Sequence, residues 1–227
     1  MIAFRVRLRQ TSEQDGCGHY HVRGVVMKRS VVATSIAVLV ALCVCFSILP
    51  ATASAHVDKK HRVDYLKVMM AWDKSSTEFK RSVKVLFDTA SATATEMQPL
   101  LGSTNPTDQM VLKQLEDEMA SLDQQVAHGS VLKAMYNVIN EAADFYERAA
   151  PWFKTHADKI ELHTGSTKFH NGVHGLAVML LQDLTAVRYL AIGNVAKARD
   201  DLANAEGQAA RNAQLVETGL EKLTSLE

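Results

Sequence analysis

Stepping alternately four and three residues from Tyr65 lands on Met69, Trp72, Ser76, Phe79, Val83, Leu86, Ala90, Thr93, Met97 and Leu100. Nine of these eleven positions are apolar, and so long a run at heptad spacing predicts one amphipathic helix packed along its length. Pro99 and Gly102 close it, and "GSTNPTD" reads as a turn with Asn105 or Thr104 capping a helix that opens at Pro106. The pattern resumes with Leu112, Leu115, Met119, Leu122 and Val126, then breaks at "HGS". There Gly129 suits a left-handed C-cap and Ser130 an N-cap. A third stripe (Val131, Met135, Val138, Ala142, Phe145, Ala149) runs to Pro151, which stops or kinks the helix.

The next twenty-one residues, Thr155 to Gly175, are polar and hold Gly165, Gly172 and Gly175, so they read more as a helix connection than as scaffold. From about Phe169 a stripe returns with Val173, Leu176, Ala177, Leu180, Leu184, Val187 and Ala191. Gly193 and Asn194 make a tight corner, and Val195, Ala198, Leu202 and Ala205 face inward on a last helix weakened by Gly207 and Gly219. The predicted helices lie near 60–98, 106–128, 131–150, 169–192 and 195–224. Nowhere is an apolar–polar alternation of strand period sustained. The expected fold is all-α, an antiparallel bundle of four to five long amphipathic helices forming one domain over 56–227.

The run "YLAIGNVAKARDDLANA" looks like the centre of a tetratricopeptide unit, with Tyr189, Gly193, Val195, Ala198, Leu202 and Ala205 at that repeat's spacings. The likeness covers about half of one unit, and such units need about three stacked copies to be stable. No second copy is found. An antiparallel helical hairpin with small residues at its crossing is the preferred reading.

The N-terminal part reads differently. From Met27, Lys28 and Arg29 precede an apolar run from Val31 to Leu49, then Pro50 and "ATASA". That is the layout of a cleaved secretory signal over 27–55, with cleavage after Ala53 or, preferably, Ala55. The competing reading is an uncleaved single-pass anchor at 31–49. Residues 1–26 lack periodicity and are expected to be a disordered upstream extension, with Met27 an alternative start to Met1. A lipoprotein does not fit, because Leu42 and Val44 precede Cys43 and Cys45. The body is therefore expected to be secreted or periplasmic, with membrane attachment only if 31–49 is uncut.

Composition narrows the chemistry. The 227 residues are 47% apolar, enough for a real core. Before Ser30 six basic residues stand against two acidic, leaving 19 against 23 from His56 onward, so the body is mildly acidic at −4. With no basic stripe, nucleic-acid binding is not expected. Cys17, Cys43 and Cys45 all precede the predicted cleavage point. A mature chain would have no disulfide, thiolate ligand or cysteine nucleophile.

Histidine is the one chemical concentration. His156, His163, His170 and His174 fall within the Thr155–Gly175 stretch. His170 and His174 are one turn apart on any helix containing both, a pair that zinc, copper or nickel accepts. Glu161, His163, Asp158 and His156 could complete such a site, which gives His163, His170, His174 and Glu161 as candidate ligands. Cleavage after Ala55 would add an amine and imidazole together on His56. Against this, the chain has no HExxH, and Glu161 and His163 are two apart where di-iron bundles use ExxH. The preferred reading is a polar connection, with His170 the most buried of the four and bonded to a backbone carbonyl or to Glu161.

GxSxG, GxxxxGK[ST] and a strand-borne GxGxxG are also absent. The carboxylates at Glu116–Glu118 read as helix solvation. Trp72, Phe145, Tyr146, Trp152 and Phe153 could floor a pocket but read first as aromatic core. No enzyme and no resident cofactor are expected. Two functions remain: a non-catalytic envelope protein acting through a protein partner or self-association (adaptor, chaperone-like factor or sensor), or a metal- or small-ligand-binding bundle using the histidines.

Overall fold

Five α-helices account for most of residues 56–227, the part of the chain that the computed structural model describes. The predicted signal segment and upstream extension lie outside the described residues. The helices are α1 (Arg62–Met97), α2 (Pro106–Ala127), α3 (Ser130–Ala149), α4 (His156–Ala191) and α5 (Val195–Thr224). Short 3-10 turns at Gln98–Leu100 and Ala150–Trp152 each carry a proline where a helical N–H would be needed, which is why α1 and α3 stop there. Among the described residues there are no strands, only an isolated antiparallel bridge between Val57 and Phe153. The all-α reading stands.

The heptad steps along α1 are the core. Every one from Tyr65 to Met97 is buried, and Leu100 at the end is half-buried. Their main partner is α4, which touches all four other helices and packs most extensively along α5. Trp72 stacks on Phe169 at 4.5 Å between ring centroids and meets Phe145 edge-on at 4.8 Å. The aromatic residues therefore fill the centre. Tyr65, fully buried, donates from its hydroxyl to the Leu223 carbonyl (2.7 Å). Burial and the nearby Glu227 push that hydroxyl's pKa well up. α2 sits at the edge: of its expected stripe only Met119 is buried, and Leu112, Leu115, Leu122 and Val126 are half-buried against the core.

Caps explain the other boundaries. Asn105 accepts from Thr107 N–H (2.9 Å) and opens α2, as the turn predicted. Asn194 accepts from Lys197 N–H, and Gly193 takes a positive φ of 72° at the α4–α5 corner. Gly129 departs from expectation. Its φ of −71° is ordinary and it is itself the N-cap of α3, with Ser130 the first helical residue.

The larger correction concerns Thr155–Gly175. The stretch read as a connection is the first half of α4, continuous helix from His156. Its glycines lie against α5. A Cβ on Gly172 would come within 2.6 Å of Val216 N and 2.9 Å of the Asn212 carbonyl oxygen. Gly165 faces Leu223 and Gly219, and Gly219 answers with its own bare Cα, where a Cβ would reach 2.5 Å from Phe169 N. Glycine is here a packing requirement of two antiparallel helices in near-backbone contact, and packing outweighs its low propensity. The tetratricopeptide likeness ends at the corner: α4 alone has 36 residues and α5 has 30, whereas a whole two-helix unit takes about 34.

Candidate functional site

Thr155 places the histidine-bearing half of α4. Its hydroxyl accepts from Asp158 N–H (3.0 Å), so the helix starts with an N-cap three residues ahead of an acidic side chain. Asp158 is buried and receives a hydrogen bond from His56 Nδ1 (2.7 Å). Burial works against its charge, but hydrogen bonds from Thr155 and His56 and the imidazole's charge hold its pKa below the usual carboxylate value. Asp58 N–H donates to the Trp152 carbonyl (2.9 Å), and His61 stacks on Trp152. The start of the described chain is thus fastened to the α3–α4 corner.

The candidate metal ligands do not come together. His170 and His174 lie one turn apart with ring centroids at 6.4 Å. His170 donates from Nδ1 to the Ile139 carbonyl (3.1 Å), a bond that selects the Nδ1–H tautomer. It is half-buried, while His156, His163 and His174 are exposed. His163 meets Tyr146 edge-on at 4.9 Å. Glu161 turns the other way and pairs with Lys222 of α5, so it is not the partner of His170. Among the described residues no three His, Cys, Asp or Glu side chains are grouped as metal ligands would be. His170 found the carbonyl of the two partners expected for it.

The structure draws attention to Asp183 instead. This carboxyl, only 1% exposed, has no hydrogen-bond partner at either oxygen among the described residues. Burial alone pushes its pKa from 3.8 up to about 7. It lines a cleft of about 390 Å³ between α1, α4 and α5. Ala205, Ala209 and Ala213 recur every four residues, so α5 offers mainly methyl groups on this side, with Glu206 beside them, and leaves a gap opposite Phe87 and Val83 of α1. Met179 and Leu176 of α4 complete an apolar lining. A larger groove along α2, about 820 Å³, is lined by residues 106–121 of that one helix and has no second wall.

Charge around the cleft is largely spoken for. Lys80 reaches Glu217 of α5 at 2.8 Å, and Lys84 reaches Asp88 one turn on at 2.9 Å. Glu206, exposed on α5, has no ion pair among the described residues. Neither lysine is bonded to Asp183. Asp183 is not among the candidate residues named from the sequence, yet its register is visible there: 176, 180, 183, 187 and 190 step four and three along α4. An aspartate among Leu176, Leu180, Val187 and Leu190 is a charge in a core position.

Compared with known protein families, with curated proteins and with solved structures, the chain matches none. No helix of the described residues is long and apolar enough to cross a membrane.

Proposed function

We propose that this chain is an exported, non-catalytic antiparallel helical bundle that works by binding, a sensor or adaptor module of the cell envelope whose small ligand enters the α1–α4–α5 cleft. One observation carries the reading: Asp183 keeps two unpaired carboxyl oxygens beside a cleft. Buried polar groups are almost always bonded, and an orphaned one is accounted for by a bound ligand, ion or water, or by functional strain. The cleft lies at the lower end of the roughly 300–1,000 Å³ usual for small-molecule pockets. No histidine, cysteine, serine or tyrosine lines it, and its two lysines, Lys80 and Lys84, are held in ion pairs with Glu217 and Asp88. A protein partner or self-association would read out the bound state. The Lys28–Arg29 start, the apolar run and Ala53-Ser54-Ala55 support export with His56 first in the mature chain.

Native mass spectrometry of the protein recovered from its own compartment tests this. The expected result is a chain beginning at His56 carrying a small-molecule adduct that Ala209→Phe, which fills the cleft, removes. A ligand-free wild-type chain, or an adduct that persists in Ala209→Phe, overturns the binding reading. Retention of Lys28 overturns export and favours the anchored form.

A further inference from the structure

We infer that the ligand of this cleft carries a cationic nitrogen: a small organic ammonium whose charge meets the Asp183 carboxylate and whose hydrocarbon part lies on Phe87, Met179 and Ala209. The inference rests on the proposed binding role and adds the ligand's charge and chemical class.

Four features lead to it. Asp183 is buried and neither oxygen is bonded among the described residues, so its charged form can be satisfied only by a donor brought from outside. The nearby cations cannot supply that donor without losing partners, since Lys80 holds Glu217 and Lys84 holds Asp88. The lining holds three carboxylates, Asp88, Asp183 and Glu206, against two lysines, Lys80 and Lys84, that are already paired, so an anion would meet net repulsion. The apolar walls and the lack of any three-ligand group among the described residues leave a divalent ion without coordination, whereas an alkylammonium has a hydrocarbon part for them. An ion pair in this setting is charge-assisted and screened little by solvent.

A proton consequence follows. In the empty cleft burial holds the Asp183 pKa at about 7, so an ammonium must displace a proton when it binds at lower pH. Affinity is then flat above pH 7 and weakens toward about tenfold per pH unit below it. Lys80, Lys84 and Asp88 from α1 and Glu206 from α5 face the same cleft. They are unchanged in an Asp183 variant, so comparison with the wild type isolates the one group.

Calorimetric titration of the full chain with n-hexylammonium, n-hexanol and n-hexanoate tests the class. The wild type is expected to bind hexylammonium more tightly than either of the others by about tenfold or more, the weight of one charge-assisted contact. Asp183→Asn is expected to erase that preference while the chain still melts cooperatively and, above pH 7, at a higher temperature than the wild type. Hexanol or hexanoate binding as tightly as hexylammonium overturns the cationic inference and leaves the cleft a ligand site. Absence of binding by all three probes overturns both. Should Asp183→Asn fold poorly, the wild type alone decides through pH: hexylammonium affinity flat between pH 5 and pH 7 overturns the inference.

Discussion

A leucine at residue 183 would continue the stripe of α4, and the chain has an aspartate there. The energetic consequence has a definite sign. The folded state holds this carboxyl at about 7 against 3.8 in the unfolded chain, so folding takes up a proton between those values. The native state is least penalised below the unfolded pKa, and stability is lost as the pH rises through about 7. Asp183→Asn should therefore stabilise the fold little at pH 4 and by up to about 4 kcal/mol at pH 8, the shift of about three units converted at 1.36 kcal/mol each. Urea unfolding at the two pH values checks it; an equal gain at both would remove the buried-charge account. His170 makes a smaller claim. Losing its bond to the Ile139 carbonyl, His170→Ala should cost about 1 kcal/mol, while exposed His174→Ala costs almost nothing. Thermal melts of both variants decide that. Stoichiometric zinc or copper should leave the wild-type melting temperature unmoved, and a shift abolished by the double substitution would restore the histidine site.

At the scale of elements, α4 and α5 show how one residue type can carry opposite meanings. Glycines at 165, 172 and 175 imply a loop if only propensity counts, and a helix seam if another helix lies against them. Gly172 and Gly219 face backbone, which cannot move aside, whereas Gly175 faces the Asn212 side chain, which can. Gly207 has nothing within 4 Å of an added Cβ. Gly172→Ala and Gly219→Ala should destabilise by about 1–3 kcal/mol, the usual cost of overpacking. Gly207→Ala should stabilise by about 0.5–1 kcal/mol through helix propensity. Denaturant midpoints of the three variants test the seam, and a stabilising Gly172→Ala would show that the helices are not in backbone contact.

The whole molecule depends on one core to which α1 supplies a continuous face and α4 two. Leu86 and Leu180 are 4% and 3% exposed. Truncation of either to alanine should cost about 2–5 kcal/mol, well above the cost at any of the four clustered histidines. A melting temperature unmoved by Leu86→Ala would place the core elsewhere. The far-ultraviolet circular dichroism should be dominated by helix, and a strand signature would be incompatible with five packed helices.

Heptad steps in the sequence determined the inward faces of α1, α3, the second half of α4 and the first half of α5, because a long helix must bury its apolar side and the spacing names that side. Asn105, Pro106, Gly193 and Asn194 determined their turns, because caps and positive-φ glycines act within four residues. The helical state of Thr155–Phe169 was decided only in three dimensions. Its one glycine, Gly165, gains nothing locally and becomes favourable when Gly219 and Leu223 arrive from some fifty residues away. The same holds for Asp183. Its register shows in the sequence, but that both oxygens lack partners depends on where Lys80, Lys84 and the alanines of α5 come to rest. Residue type and spacing name a face; the chemistry available on that face is set by what the other helices bring to it.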